Sequence, residues 1–263
     1  MGFFTDTSLC IGCKACEVAC KQWNQLPLDG FNWRATSYDN THTLGANTWR
    51  HVTFAEHPGA GGPGGQTNWL MMSDVCKHCA NAGCLEACPT GAIVRTEFGT
   101  IVVQQDVCNG CGYCVPACPY GVIDLATSGT PATLVAAADG KAHKCTLCYD
   151  RLKDGLEPAC AKSCPTDSIQ FGELTELQQR ARRRVDQLRA RGLPAYVYGD
   201  EQVGGTRGIG KLGASFLLLD RPNRYNLPEH PSLPQNHTLP GLLTMVATAI
   251  ALTLATALSL RRR

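Results

Sequence analysis

The 263-residue sequence is short of charge: Asp, Glu, Lys and Arg make up 17% of it, and 24 basic against 22 acidic side chains leave a formal net charge of +2. It therefore has no broad basic field to hold nucleic-acid phosphates and no acidic tail. Aromatic residues are scarce at 7%. The arginine-rich stretch from Arg180 to Arg191 has no stacking platform and reads as a solvated or subunit-facing helix surface rather than an RNA site. No G-x-S-x-G, H-E-x-x-H or Walker A run is present, which removes the usual signatures of hydrolases, zinc peptidases and nucleotidases. The G-x-G-x-x-G from Gly208 to Gly213 lacks its context. No strand precedes it, a strand pattern follows it, and Asp220 comes far too early to meet a ribose. The absence of C-x-x-C-H excludes covalent c-type haem. The 44% hydrophobic content excludes a disordered or fibrous chain.

What is abundant is cysteine, 16 residues in four groups of four. Cys10, Cys13, Cys16, Cys20 and Cys108, Cys111, Cys114, Cys118 both have the spacing C-x2-C-x2-C-x3-C, the run with which bacterial ferredoxins hold cubane clusters. Cys76, Cys79, Cys84, Cys88 widens the middle gap to four residues, and Cys145, Cys148, Cys160, Cys164 widens it to eleven. Three thiolates on a tight loop can converge on three irons of one cube. The fourth, three residues on, is carried onto a helix and serves a neighbouring cluster. An even number of runs then closes with no thiol left over. Zinc normally takes two separated C-x2-C knuckles, and three cysteines within seven residues fit a tetrahedron poorly. Disulfides between such close neighbours leave few bridges of acceptable geometry. The sixteen cysteines thus read as iron ligands of four 4Fe-4S clusters. Counting each thiolate as −1 and each oxidised core as +2 takes the formal charge from +2 to about −6. Lys14, Lys77, Lys144 and Lys162 lie between or beside the ligands, where they either tune cluster potentials or are simply solvated.

Three groups end in Cys-Pro with an isoleucine five positions after the Cys: Cys88 with Ile93, Cys118 with Ile123, Cys164 with Ile169. Proline directs the chain out of the cluster into an extended segment. Cys20 is followed instead by Lys21-Gln22-Trp23, a continuing helix. Residues 93–96 and 100–103 form a hairpin pattern around Glu97-Phe98-Gly99. Leu174, Leu177, Ala181, Val185 and Leu188 mark a helix from Glu173 to Arg191 closed by Gly192.

The fold expected is α+β: two ferredoxin-like dicluster units related by a pseudo-twofold, with loop insertions and one C-terminal transmembrane helix. Residues 1–35 and 140–200 carry groups one and four, 36–68 an irregular insertion including the Gly59–Gly65 stretch, and 69–139 groups two and three. Residues 201–238 form an extension and linker, 239–260 the membrane helix and 261–263 a basic tail. Leu239 to Leu260 is 22 uncharged residues, about 33 Å as a helix against a hydrocarbon core of about 30 Å. Its threonines leave a buried soluble helix as the alternative. Arg261 to Arg263 follow the span directly, which by the positive-inside rule holds the tail in the cytoplasm and the cluster domain outside. The first residues have no basic n-region, so export is expected to go with a partner that carries a signal.

The chain resembles the iron-sulfur (beta) subunit of membrane-bound molybdenum or tungsten formate dehydrogenases. These form a branch of the four-cluster subunits that accompany molybdopterin oxidoreductases. The resemblance is carried by Cys10-Ile11-Gly12-Cys13-Lys14-Ala15-Cys16 leading to Trp23-Asn24, by Cys108 to Cys118 with Gly112-Tyr113, and by Lys144-Cys145-Thr146-Leu147-Cys148 with Glu157-Pro158-Ala159-Cys160. Val203-Gly204-Gly205-Thr206 and the single span add to it. It implies crossed ligation: Cys10, Cys13, Cys16 and Cys164 nearest a catalytic molybdopterin alpha subunit, then Cys20, Cys145, Cys148 and Cys160. Next come Cys88, Cys108, Cys111 and Cys114, and nearest the membrane Cys76, Cys79, Cys84 and Cys118. It implies a non-catalytic electron carrier delivering to a membrane cytochrome b or quinone-reactive subunit. The alternatives are the equivalent subunit of a membrane-bound hydrogenase or another molybdopterin oxidoreductase, and a membrane-anchored metal-binding scaffold.

Overall fold

The computed structural model describes residues 1–28, 41, 43–57, 68–126, 139–200 and 209–261. The Gly59–Gly65 stretch, Val203–Thr206, Gly208, Arg262 and Arg263 lie outside the described residues.

A four-stranded sheet forms the backbone of the fold, in the order Ile169–Gly172, Gly2–Asp6, Ala214–Leu218, Tyr196–Tyr198. Gly2–Asp6 runs parallel to Ala214–Leu218 and antiparallel to Ile169–Gly172. Both inner strands are buried on both faces, so their side chains divide between two cores. Phe4, Val197 and Leu217 meet Leu177, Ala181, Val185 and Leu188 of the helix Leu174–Arg189. Phe3, Ala214, Phe216 and Leu218 face the cysteine-bearing half instead. The amphipathic helix seen in the sequence thus caps one side of the sheet, and its Arg184 reaches over to Asp6 at 2.8 Å.

The cysteine half is built from short elements. The helix Ala15–Asn24 packs on Ala159–Lys162, and Gly83–Glu86 packs on Cys114–Ala117. The first of these runs through Trp23 as its lack of proline predicts. After each Cys-Pro the chain takes a left-handed step, at Gly91, Gly121 and Asp167, before the strands Ile93–Arg95, Asp124–Leu125 and Ile169–Gly172. Ile93, Ile123 and Ile169 are buried.

The second helix pair is tight. A Cβ added at Gly83 would stand 2.5 Å from the Ala117 carbonyl oxygen, closer than the backbone can tolerate. Gly83→Ala is expected to cost about 1–3 kcal/mol by overpacking, read as a fall in thermal midpoint of the iron-loaded protein.

Two expectations are corrected. Residues 36–68 are not wholly irregular: Arg50–His57 pairs antiparallel with Asn68–Val75, with Val52, Met72 and Val75 in the core. The alternation there is interrupted by buried polar side chains, Arg50 and His51 among them, which hid the strand from a period-two reading. The segment 201–238 is not a linker in its described part. Ala214–Leu218 is an inner strand, and Tyr225, Leu227 and Leu233 are buried. Five successive buried residues carry no alternation, as befits a strand covered on both faces.

The C-terminal helix Thr238–Arg261 follows a 3-10 turn at Pro234–His237. The most apolar 18-residue window within Pro234–Arg261 has a mean hydropathy of 2.0, and none of it is buried. An apolar helix with no protein cover, about 36 Å long, fits a membrane anchor rather than a soluble core helix.

Candidate iron-sulfur relay

The opening C-x2-C turn of each of the four runs bends the same way. The residue before the second Cys has positive φ in each: Gly12 (65°), His78 (43°), Gly110 (74°) and Leu147 (60°). That left-handed step curls the loop so that successive sulfurs face one centre. Two of the four positions spend a non-glycine residue on it, and both side chains are buried, so packing offsets the strain.

The sulfurs gather across runs. Cys10, Cys13, Cys16 and Cys164 line one shared pocket with Ile11, Val52 and Ser73. Cys20 has Cys145, Cys160 and Cys148 as its electrostatic neighbours. Cys79 has Cys76, Cys118 and Cys84, and Cys114 has Cys108, Cys111 and Cys88. In each quartet the thiol that closes one run stands with three from another.

The quartets also follow one another within electrostatic reach. Cys16 of the first interacts with Cys160 of the second, Cys145 of the second with Cys76, and Cys84 with Cys114 of the last. This reverses the last two positions implied by the resemblance. Cys76, Cys79, Cys84 and Cys118 stand third, inside the protein, and Cys88, Cys108, Cys111 and Cys114 stand fourth. The deciding proximity is that of Cys145 in the second quartet to Cys76, while the helix pair Gly83–Glu86 and Cys114–Ala117 links the third quartet to the fourth. The two ends of the row are open: Cys13 and Cys111 are exposed, next to Ile11 (59% exposed) and Tyr113 (63%). The anchor's lead-in packs on the helix pair that joins the third and fourth quartets, with Leu233 against Gly83 and Gln235 donating to Glu86 at 2.6 Å, and Pro234 and Gln235 share a surface groove with Tyr113.

Burial dominates the thiol chemistry. It pushes Cys16, Cys114 and Cys148 up to about 11 and Cys84 up to about 12, and drives Cys20, Cys79 and Cys145 upward as well. Such sulfurs are neutral without metal, so loading releases their protons. Donors are in place for the sulfurs once charged. Leu147 N–H lies 3.3 Å from Cys145 Sγ, Ala142 N–H 3.5 Å from Cys108 Sγ, and Asn24 Nδ2 3.7 Å from Cys20 Sγ. Soft thiolates in apolar cavities with N–H donors suit an iron-sulfur cube.

Of the four lysines singled out, Lys14 is held by Glu17 at 3.5 Å and Lys162 lies at the surface groove beside Trp23. Lys77 and Lys144 are buried. Lys77 is paired with Asp74, while Lys144 donates to the carbonyls of Ile101 and Cys145. The described part of the glycine motif is structural: Asn81 N–H donates to Ile209 O and Ala80 N–H to Lys211 O, both at 2.8 Å. It clamps the Cys76–Cys79 loop. The residue that sequence reasoning missed is Arg50, buried between the first two quartets. An isolated arginine on an unrecognised strand gives no sequence signal.

A chain with these four thiolate pockets in a row is a four-cluster electron-transfer protein. Two family models, each a 4Fe-4S dicluster domain, match residues 9–92 and 67–174. The iron-sulfur subunit of the nitrate-inducible formate dehydrogenase of Escherichia coli (strain K12) is 40% identical over 248 residues, 93% of this chain and 78% of the relative. The formate dehydrogenase iron-sulfur subunit of Haemophilus influenzae is 38% identical over 89% and 70% of the two chains. The B subunit of the anaerobic dimethyl sulfoxide reductase of E. coli is 36% identical over 68% and 76%. The chain belongs to the family of formate dehydrogenase iron-sulfur subunits, carries four 4Fe-4S clusters and is not itself a catalytic subunit.

Proposed function

We propose that this chain carries electrons from a formate-oxidising molybdopterin (Mo or W) subunit docked at the Cys13 end to a cytochrome b or quinone-reactive subunit in the membrane at the Cys111 end. The observation that carries the reading is the single row of four quartets with both ends open and the anchor beside the last. The clusters, when bound, supply one-electron redox chemistry. The polypeptide's own part is to fix their order, exclude water from the middle two and present each end to a partner. Ligation follows the quartets, Cys10/Cys13/Cys16/Cys164, Cys20/Cys145/Cys148/Cys160, Cys76/Cys79/Cys84/Cys118 and Cys88/Cys108/Cys111/Cys114. The units carrying groups one and four and groups two and three are the two dicluster halves, each centred on one helix pair. The three terminal arginines favour a cytoplasmic tail with the cluster domain outside.

The test is anaerobic purification of the membrane complex. A large molybdopterin subunit is expected to co-purify, and formate to reduce the iron-sulfur absorbance of this chain within one turnover. Reduction by hydrogen and not by formate contradicts the formate reading in favour of a hydrogenase.

A further inference from the structure

Arg50 stands at the start of the strand Arg50–His57 and is 1% exposed. Its partners among the described residues are few. Nη1 donates to Ser73 Oγ at 3.0 Å and more weakly to Ser73 O at 3.4 Å, and the guanidinium lies 4.7 Å from the centre of the Phe3 ring. Nε and Nη2 are buried with no hydrogen-bond partner among the described residues. An arginine side chain holds its charge at any working pH, and a buried cation with two idle donors is costly unless a negative group faces it.

The groups that do face it are thiols. Cys160, Cys16, Cys145 and Cys20 are its electrostatic neighbours, one from the first quartet and three from the second. Ser73 extends the contact: its hydroxyl accepts from Arg50 and lies 3.2 Å from Cys16 Sγ, so its own hydrogen is free for that sulfur. Lys77 makes the contrast, because its equally buried charge is offset by Asp74.

We propose that Arg50 is the shared counter-charge of the first two clusters, a positioning residue that raises the reduction potential of both through its fixed charge and through Ser73. A cation near a cluster favours the reduced state, which carries one more negative charge, and in a buried setting the effect is weakly screened. The proposal rests on the four-cluster reading and adds to it a residue outside the ligand set.

The test is an EPR-monitored redox titration of the whole membrane complex, with each signal assigned from a matching single Cys→Ser variant. Arg50→Met is expected to lower the potentials of the first and second clusters by at least a tenfold change in reduction equilibrium, about 59 mV for a one-electron couple. The cluster of Cys88, Cys108, Cys111 and Cys114 keeps its potential. Arg50→Lys, with the charge on a shorter, non-planar head, gives a smaller shift in the same direction. Unchanged first and second potentials in an iron-replete Arg50→Met variant overturn the proposal, as does an equal shift in all four clusters. Should Arg50→Met fail to load iron, Arg50→Lys alone decides: no shift at the first two clusters overturns it. Wild-type protein lacking its iron would sink the four-cluster reading itself, a different failure.

Discussion

Cys118→Ser is expected to remove the cluster of Cys76, Cys79 and Cys84 and to leave the cluster of its own run, Cys108, Cys111 and Cys114, in place. Cys118 closes the short helix Cys114–Ala117 with extended backbone at φ −86°, which turns its sulfur away from the preceding three. Burial and the nearby Cys76 raise its thiol, partly offset by backbone N–H groups of Val122 and Tyr120. The third quartet is interior, between Cys145 on one side and Cys114 on the other. Losing it interrupts the row rather than trimming an end. The variant is expected to lose about four Fe per chain and to fall to background in formate-dependent quinone reduction, while the first two clusters are still reduced by formate. EPR and iron analysis on the same sample check this. An altered Cys108/Cys111/Cys114 signal beside an intact Cys76/Cys79/Cys84 signal contradicts the crossed arrangement.

Deleting the residues after Pro234 is the second large effect. The helix Thr238–Arg261 buries nothing within the protein, so its removal takes no core side chain away. Leu233, which packs on Gly83, is retained. Truncation also removes the rim hydrogen bond from Gln235 to Glu86, worth little at an exposed site. When expressed without partner subunits, the truncated chain is expected to move from the membrane fraction to the soluble fraction with its iron content unchanged. Retention in carbonate-washed membranes contradicts the helix as anchor, and loss of iron contradicts its independence from the cluster core.

The cysteine runs were legible in the sequence because their chemistry is local: a C-x2-C turn needs a left-handed step, and Gly12 and Gly110 supply it visibly. The amphipathic helix was legible too, since Leu177, Ala181, Val185 and Leu188 repeat at the helical period. The inner strand Ala214–Leu218 was readable as a strand but not as the centre of a sheet, because its partner Gly2–Asp6 lies some two hundred residues away. The order of the last two quartets was illegible for a related reason. It depends on Cys76 standing beside Cys145, a proximity between two cysteine runs that are far apart in sequence. Arg50 was hidden by its isolation, its meaning arising only from Cys16, Cys20, Cys145 and Cys160 folding around it.

Sixteen cysteine sulfurs hold four cubes, and every role assigned to the chain depends on that. Iron and acid-labile sulfide, measured on anaerobically purified complex and corrected for any cluster in the large subunit, test it most directly. About sixteen of each per chain are predicted; fewer than about twelve iron atoms, or iron without sulfide, would contradict it.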